Sequence, residues 1–178
     1  MELKYRDIYQ LIRFRFILYV AAVFSLATTG CGIYSFSGAS TAGLKTISVQ
    51  YFQNRASLVQ PALSQYLTDG LIDKCKAQTN LSIVNGIGDV TFEGEISEYY
   101  TKPLTVSADA RAAMNRFTIT VKVKFTNSVQ PSNSFEQIFS RYQDYDSNLD
   151  LSNVEKELTD KIVVLLIEDM FNKAFVNW

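Results

Sequence analysis

Glu93 and Glu95 lie two residues apart in an alternating stretch, so both carboxylates project from one side of an extended chain. Two carboxylates on one face could act as the acid and base of glycoside hydrolysis. Lys122 and Lys124 repeat that spacing in another alternating stretch. If the two strands pair antiparallel, the four side chains form cross-strand ion pairs instead, each contributing roughly 0.2–1 kcal/mol. The ion-pair reading needs nothing beyond the alternation and is the simpler one. A second pattern spans Asp144, Asp146, Asn148, Asp150, Ser152 and Glu155, at positions 1, 3, 5, 7, 9 and 12 of a calcium loop. Leu149 stands where the sharp turn of such a loop needs glycine, and no helix precedes it. The segment reads more simply as a strand-to-helix connection of Asx turns and capping groups, with Ser152 and Glu155 at capping-box spacing. No metal and no cofactor is expected.

Histidine is absent, which excludes His-dependent triads and the usual zinc sites. The two cysteines are Cys31 and Cys75. Cys31 follows Gly30 at the end of an apolar run, the pattern of a bacterial lipoprotein processing site. Its sulfur would carry diacylglycerol and tether a chain that does not span the membrane. Thr28 stands three before the cysteine, where leucine is usual, and Leu26 lies two further back. Met1 to Phe16 is polar and basic, and Ile17 to Ala27 is apolar. That run is shorter than the roughly 20 residues of a spanning helix. An uncleaved anchor beginning near Leu11 would be interrupted by Arg13 and Arg15. The organisation expected is a signal peptide over residues 1–30, a lipidated tether over 31–44 and a single domain over 45–178. Beyond the leader stand 13 basic and 16 acidic residues, a balance that does not suggest a nucleic-acid binder.

Hydrophobic periodicity supplies the elements that must position these side chains. Lys45 to Phe52 alternates as a half-buried strand. Leu58 to Thr79 is a helix with Pro61 in its first turn and an apolar stripe of Leu63, Tyr66, Leu67, Leu71 and Cys75. Cys75 reads as a small buried hydrophobe, and Gly70 on the same side would let the helix approach a sheet. Leu81 to Val84 is a short strand, and Val90 to Ser97 is a strand that Tyr99 to Pro103 closes. Asn115 to Asn127 alternates most cleanly. Phe135 to Asp144 is a strand, with a bulge expected at the adjacent Ile138 and Phe139. The last helix runs from about Asn153 to Val176, and its segment Ile162 to Ile167 is apolar all round. Such a helix is covered on more than one side: burial between the sheet and the first helix competes with contact to a partner, and Phe171, Phe175 and Trp178 call for extra cover. The fold expected is α+β, with two helices on one face of a mostly antiparallel, about four-stranded mixed sheet. The other face is left polar. Lys102, Arg111, Arg116, Lys122, Lys124 and Arg141 could make part of it basic.

The segments Cys31 to Gly38, Lys45 to Phe52, Pro61 to Thr68, Asp89 to Ile96 and Phe117 to Phe125 resemble the LptE family of lipopolysaccharide-assembly outer-membrane lipoproteins, in its Bacteroidetes-type form. The resemblance covers nearly all of the chain beyond the leader and keeps the element order. It implies the two-helix, four-stranded fold. It also implies a plug inside the large outer-membrane β-barrel LptD, assisting barrel assembly and the passage of lipopolysaccharide to the outer leaflet. On that reading the protein is not an enzyme. Lys122, Lys124 and Arg116 on the polar face would approach lipopolysaccharide phosphates. The lack of acidic residues just after Cys31 leans towards the periplasmic leaflet of the outer membrane. A lipoprotein scaffold of another envelope secretion or barrel-assembly machine is the competing expectation, and an envelope glycan hydrolase using Glu93 and Glu95 a distant third.

Overall fold

The cleanest alternation in the chain becomes its central strand. In the computed structural model, which describes residues 40–58, 60–104 and 113–176, β5 (Met114–Asn127) turns Phe117, Ile119, Val121, Val123 and Phe125 into a fully buried row. The leader, Cys31, Arg111 and Trp178 lie outside the described residues. To number the other elements in chain order, β1 is Thr46–Val49, β2 Gln53–Asn54, α1 Pro61–Gln78, β3 Ser82–Ile83, β4 Val90–Pro103, β6 Phe135–Asp146 and α2 Leu151–Phe175. β4 and β6 flank β5 antiparallel. β1 and β2 pair parallel along the far edge of β4, and β3 pairs parallel outside β1. The α+β class with a mixed sheet holds, but the sheet has six strands rather than about four.

The extra strands come from short pieces. The stretch expected as one strand to Phe52 leaves the sheet after Val49. Phe52 turns into the core, and its N–H donates to Thr68 Oγ1 of α1 at 3.1 Å. The chain then re-pairs through Gln53 and Asn54 against Glu95 and Ile96. β4 does not close at Tyr99 but continues to Pro103. A register shift between Ile96 and Glu98 makes this work, because the extra residue, Ser97, returns Tyr99 to the buried face. The bulge expected at Ile138 and Phe139 is absent: β5 and β6 stay in register from Phe125 to Met114. Phe139 enters the core and Ile138, 63% exposed, points to the open face.

Both helices cover the same sheet face and run in the same direction. Lys74 of α1 meets Glu168 of α2 at 3.6 Å, and Gly70 faces Ile167 so closely that a Cβ there would sit 2.6 Å from Ile167 Cδ1. Gly70 therefore serves helix–helix approach, not helix–sheet approach. α2 begins at Leu151, two residues before the expected start, with Asp150 extended ahead of it and no side-chain cap. Glu155 accepts a hydrogen bond from the Tyr99 hydroxyl instead of closing a capping box. Ile162, Val163, Leu166 and Ile167 are buried within the domain, and Val164 is 52% exposed. Phe171 and Phe175 are fully buried, Phe175 against Phe92 and Phe125 of the sheet and Phe171 against Phe175 with Lys74 of α1 over its ring, so their cover comes from this chain itself. Cys75 is fully buried, and desolvation pushes its thiol up to about 12. No helix among the described residues is long and apolar enough to cross a membrane.

Candidate functional site

The face of the sheet away from the helices carries the charged residues singled out by their spacing. Antiparallel pairing places Glu93 opposite Lys124 and Glu95 opposite Lys122. Lys124 Nζ reaches Glu93 at 3.4 Å, as cross-strand pairing requires. Lys122 turns the other way, to Glu136 of β6 at 2.7 Å. Glu95 is taken by Arg55, 3.0 Å away, from the segment after β2. Glu93, Gly94, Glu95, Lys122, Lys124 and Glu136 border a shallow depression of about 320 Å³. Its two lysines meet three carboxylates, and Arg55, from outside the lining, pairs with Glu95, so the depression is close to neutral.

Further along the face, Thr120 Oγ1 donates to Glu98 at 2.8 Å and lies 2.9 Å from Ser140 Oγ. Beyond them Arg116 grips Asp144 through two hydrogen bonds of 2.7 and 2.9 Å. Its guanidinium also stacks on Tyr142, 3.6 Å from the ring centre. Lys102 lies over Tyr100 at 4.5 Å. Lys122, Lys124, Arg116 and Lys102 are thus all on the open face, with Lys122 and Lys124 adjacent and Arg116 three alternations away. Arg141 is not: it belongs to the helix side, where Asp169 of α2 accepts both its hydrogen bonds.

A general acid for glycoside hydrolysis needs a desolvated carboxyl facing a second carboxylate across a substrate cleft. Glu93 and Glu95 are open to solvent, and each is engaged by a cation. The calcium-loop residues are dispersed. Asp144 serves Arg116, Asp146 Oδ1 accepts from the N–H and Nδ2 of Asn148 at 2.8 Å each, Asp150 precedes α2, and Glu155 faces Tyr99. Among the described residues no three Asp, Glu, His or Cys side chains converge as a cation cage would. Two contributors escaped sequence reasoning. Arg55 lies beside a two-residue strand that has no periodicity to detect, and Tyr142 had no signal marking it as a platform for Arg116.

Several carboxylates are held below their ordinary range. Glu136 is held there by the Lys122 hydrogen bond, Asp144 by the Arg116 hydrogen bond, and Asp89 by the N–H groups of Lys45 and Thr46. A carboxylate depressed in the folded state contributes stability that is complete above its unfolded pKa, near 4, and is lost as pH falls through the lower folded value. The urea midpoint is therefore expected to be level from pH 8 to about 5 and to fall below about pH 4. Asp144→Asn should remove its share of that fall. A midpoint that rises on acidification contradicts these assignments.

A family model described as lipopolysaccharide-assembly matches residues 44–174. No curated relative matches the sequence. Among solved structures, a minor lipoprotein from Acinetobacter baumannii superposes with a TM-score of 0.50 at 12% identity, covering 73% of this chain and 91% of that one. A protein from Xanthomonas campestris gives 0.50 at 10% identity, covering 78% and 87%. At these identities the likeness is one of fold.

Proposed function

The chain belongs to the LptE family of lipopolysaccharide-assembly proteins, and from that membership we propose that it is an outer-membrane lipoprotein that plugs and helps assemble an LptD-type β-barrel, assisting the passage of lipopolysaccharide to the outer leaflet. It works without catalysis, as a shaped body moored through Cys31 to the periplasmic leaflet. The observation that carries this reading is the extent of the family match. Residues 44–174 take in every strand, α1 and all but the last residue of α2. A plug needs rigid surface to lie against a lumen wall. The open sheet face supplies it, with Ile138 and Tyr142 exposed among ion pairs. Affinity capture from solubilised outer membranes should recover an LptD-type barrel as the main partner. Recovery of a different barrel or a secretion assembly would put the scaffold reading in its place. Metabolic labelling with a palmitate analogue should mark the wild type and not Cys31→Ala. Equal labelling of the two would remove the anchor.

Lys122, Lys124 and Arg116 are proposed to meet lipopolysaccharide phosphates by exchanging partners. Exposed ion pairs are worth only about 0–1 kcal/mol, so a phosphate can displace Glu136 or Glu93 at little cost. Lys122→Glu combined with Lys124→Glu should weaken lipopolysaccharide binding by about tenfold or more, through loss of two charge-assisted hydrogen bonds. The circular dichroism spectrum should be unchanged, since both side chains are exposed. Undiminished binding would remove the lysines from the site.

A further inference from the structure

The first described residue, Ser40, donates its N–H to the carbonyl of Phe175 at 2.7 Å. The tether therefore joins the domain beside the last turn of α2. Two loops close the same end. Ser128 N–H, in the β5–β6 connection, donates to the Asp89 carbonyl at 2.8 Å. The Asp89 carboxylate in turn accepts from Lys45 N–H at 2.8 Å and Thr46 N–H at 2.9 Å. This end turns aliphatic side chains outward: Ile87 is 88% exposed, Val129 48%, and Val176, just past α2, 42%. Ile87 stands at the tip of its turn between Gly86, whose φ is +92°, and Gly88. A polar residue would suit that position in water better, and the core does not use this one.

Cys31 precedes Ser40 by nine residues, which span at most about 30 Å fully extended. The opposite end of the β4–β5 pair lies a whole strand away, 14 residues or about 45 Å. We infer that the end of the domain carrying Ser40 rests on a glycerophospholipid surface, with Ile87 and Val129 entering the boundary between headgroups and acyl chains. This rests on the lipidation of Cys31 proposed above. Short chain length holds this end near lipid, aliphatic loop tips lower the free energy of contact, and exposed Lys45 beside them suits anionic headgroups.

The test uses the full-length lipoprotein reconstituted in vesicles of phosphatidylethanolamine and phosphatidylglycerol with brominated acyl chains. A bimane label is carried in turn by Ile87→Cys, Val129→Cys and Leu149→Cys. Leu149 is exposed at the opposite end, ahead of α2. Buried Cys75 does not compete for the label, and neither does Cys31 where its sulfur carries lipid; where it does not, the three variants are labelled in a Cys31→Ala background. Quenching of at least about twofold is expected for Ile87→Cys and Val129→Cys, and none for Leu149→Cys. The mass of the Cys31 peptide is read from the same preparation. Lipid present with positions 87 and 129 unquenched, or with all three quenched alike, overturns the inference and leaves the lipidation standing. Lipid absent with 87 and 129 quenched on added vesicles overturns the lipidation and keeps the contact. Lipid absent without quenching overturns both.

Discussion

Phe175→Ala is expected to remove a large part of the stability of the fold. Phe175 is fully buried in the last turn of α2. Its ring meets Phe171 at 5.1 Å, Phe125 at 5.8 Å and Phe92 at 6.3 Å between centres, with the last two edge-on. Truncation forfeits the transfer free energy of the ring and leaves a cavity among three others, a loss of about 3–5 kcal/mol. A domain of this size has about 5–15 kcal/mol in all. The position also holds the tether side of the domain through the Ser40 hydrogen bond, so loosening the last turn should loosen that end first. Urea denaturation followed by tryptophan-independent far-ultraviolet circular dichroism measures the loss. Val164→Ala, in the same helix but on its exposed side, is the control and should stay within about 0.5 kcal/mol of wild type. Similar losses for the two variants would mean that α2 is not seated as described.

That contrast also shows what periodicity along one helix could reveal. The segment Ile162 to Ile167 reads as apolar on every side because α2 lies on the sheet with α1 packed along its flank, which leaves mainly Val164 to solvent. A helix buried on two sides loses the one-sided pattern that would say where each side faces. Sequence therefore announced the cover and left its source open, and Phe171 and Phe175 found theirs inside the domain. Strand β5 is the opposite case: its apolar residues alternate strictly from Phe117 to Phe125 and all five are buried, although Thr118 and Thr120 on the other face are covered as well. Its pairing with β4 carried the Glu93–Lys124 contact with it, since register determines which side chains stand opposite.

What escaped was set by contacts distant in sequence. Lys122 prefers Glu136 over the directly opposite Glu95 because β6 offers a closer carboxylate and Arg55 has taken Glu95. Glu155 reaches Tyr99 across 56 residues in place of its own helix start. Burial comes first, and the hydrogen bond to Glu155 second, in pushing the pKa of that tyrosine above its ordinary value. β2 and β3 are two residues each, too short for any alternation. Gly70 showed that something comes close to that face of α1, but a missing side chain does not say whether the neighbour is a strand or, as it proves, Ile167.

Gly94 is the position where a single added carbon should disturb most. It lies inside β4 opposite Val123, and a Cβ there would meet Phe52 Cε1 at 2.6 Å and the backbone carbonyl of Lys122 closer still. Phe52 cannot easily yield. It is fully buried, and its N–H is held by Thr68, whose hydroxyl donates to the Ser64 carbonyl at 2.7 Å. The carbonyl belongs to the strand that carries Lys122, so relief on that side means separating β4 from β5. Gly94→Ala is expected to cost about 1–3 kcal/mol from overpacking, and Gly94→Val more, despite the better strand propensity of both residues. The cost should be non-additive. In the Phe52→Leu background the ring edge is gone, and Gly94→Ala should cost less than it does alone, by about 0.5–3 kcal/mol of coupling in a double-mutant cycle. Additive losses would place Phe52 elsewhere. The same carbonyl positions the Lys122 and Lys124 side of the open face, so on the lipopolysaccharide contact proposed for those lysines Gly94→Ala should also weaken that binding in whatever fraction stays folded. Phe175→Ala, acting from the helix side, should lower the folded fraction and leave the affinity of what remains unchanged.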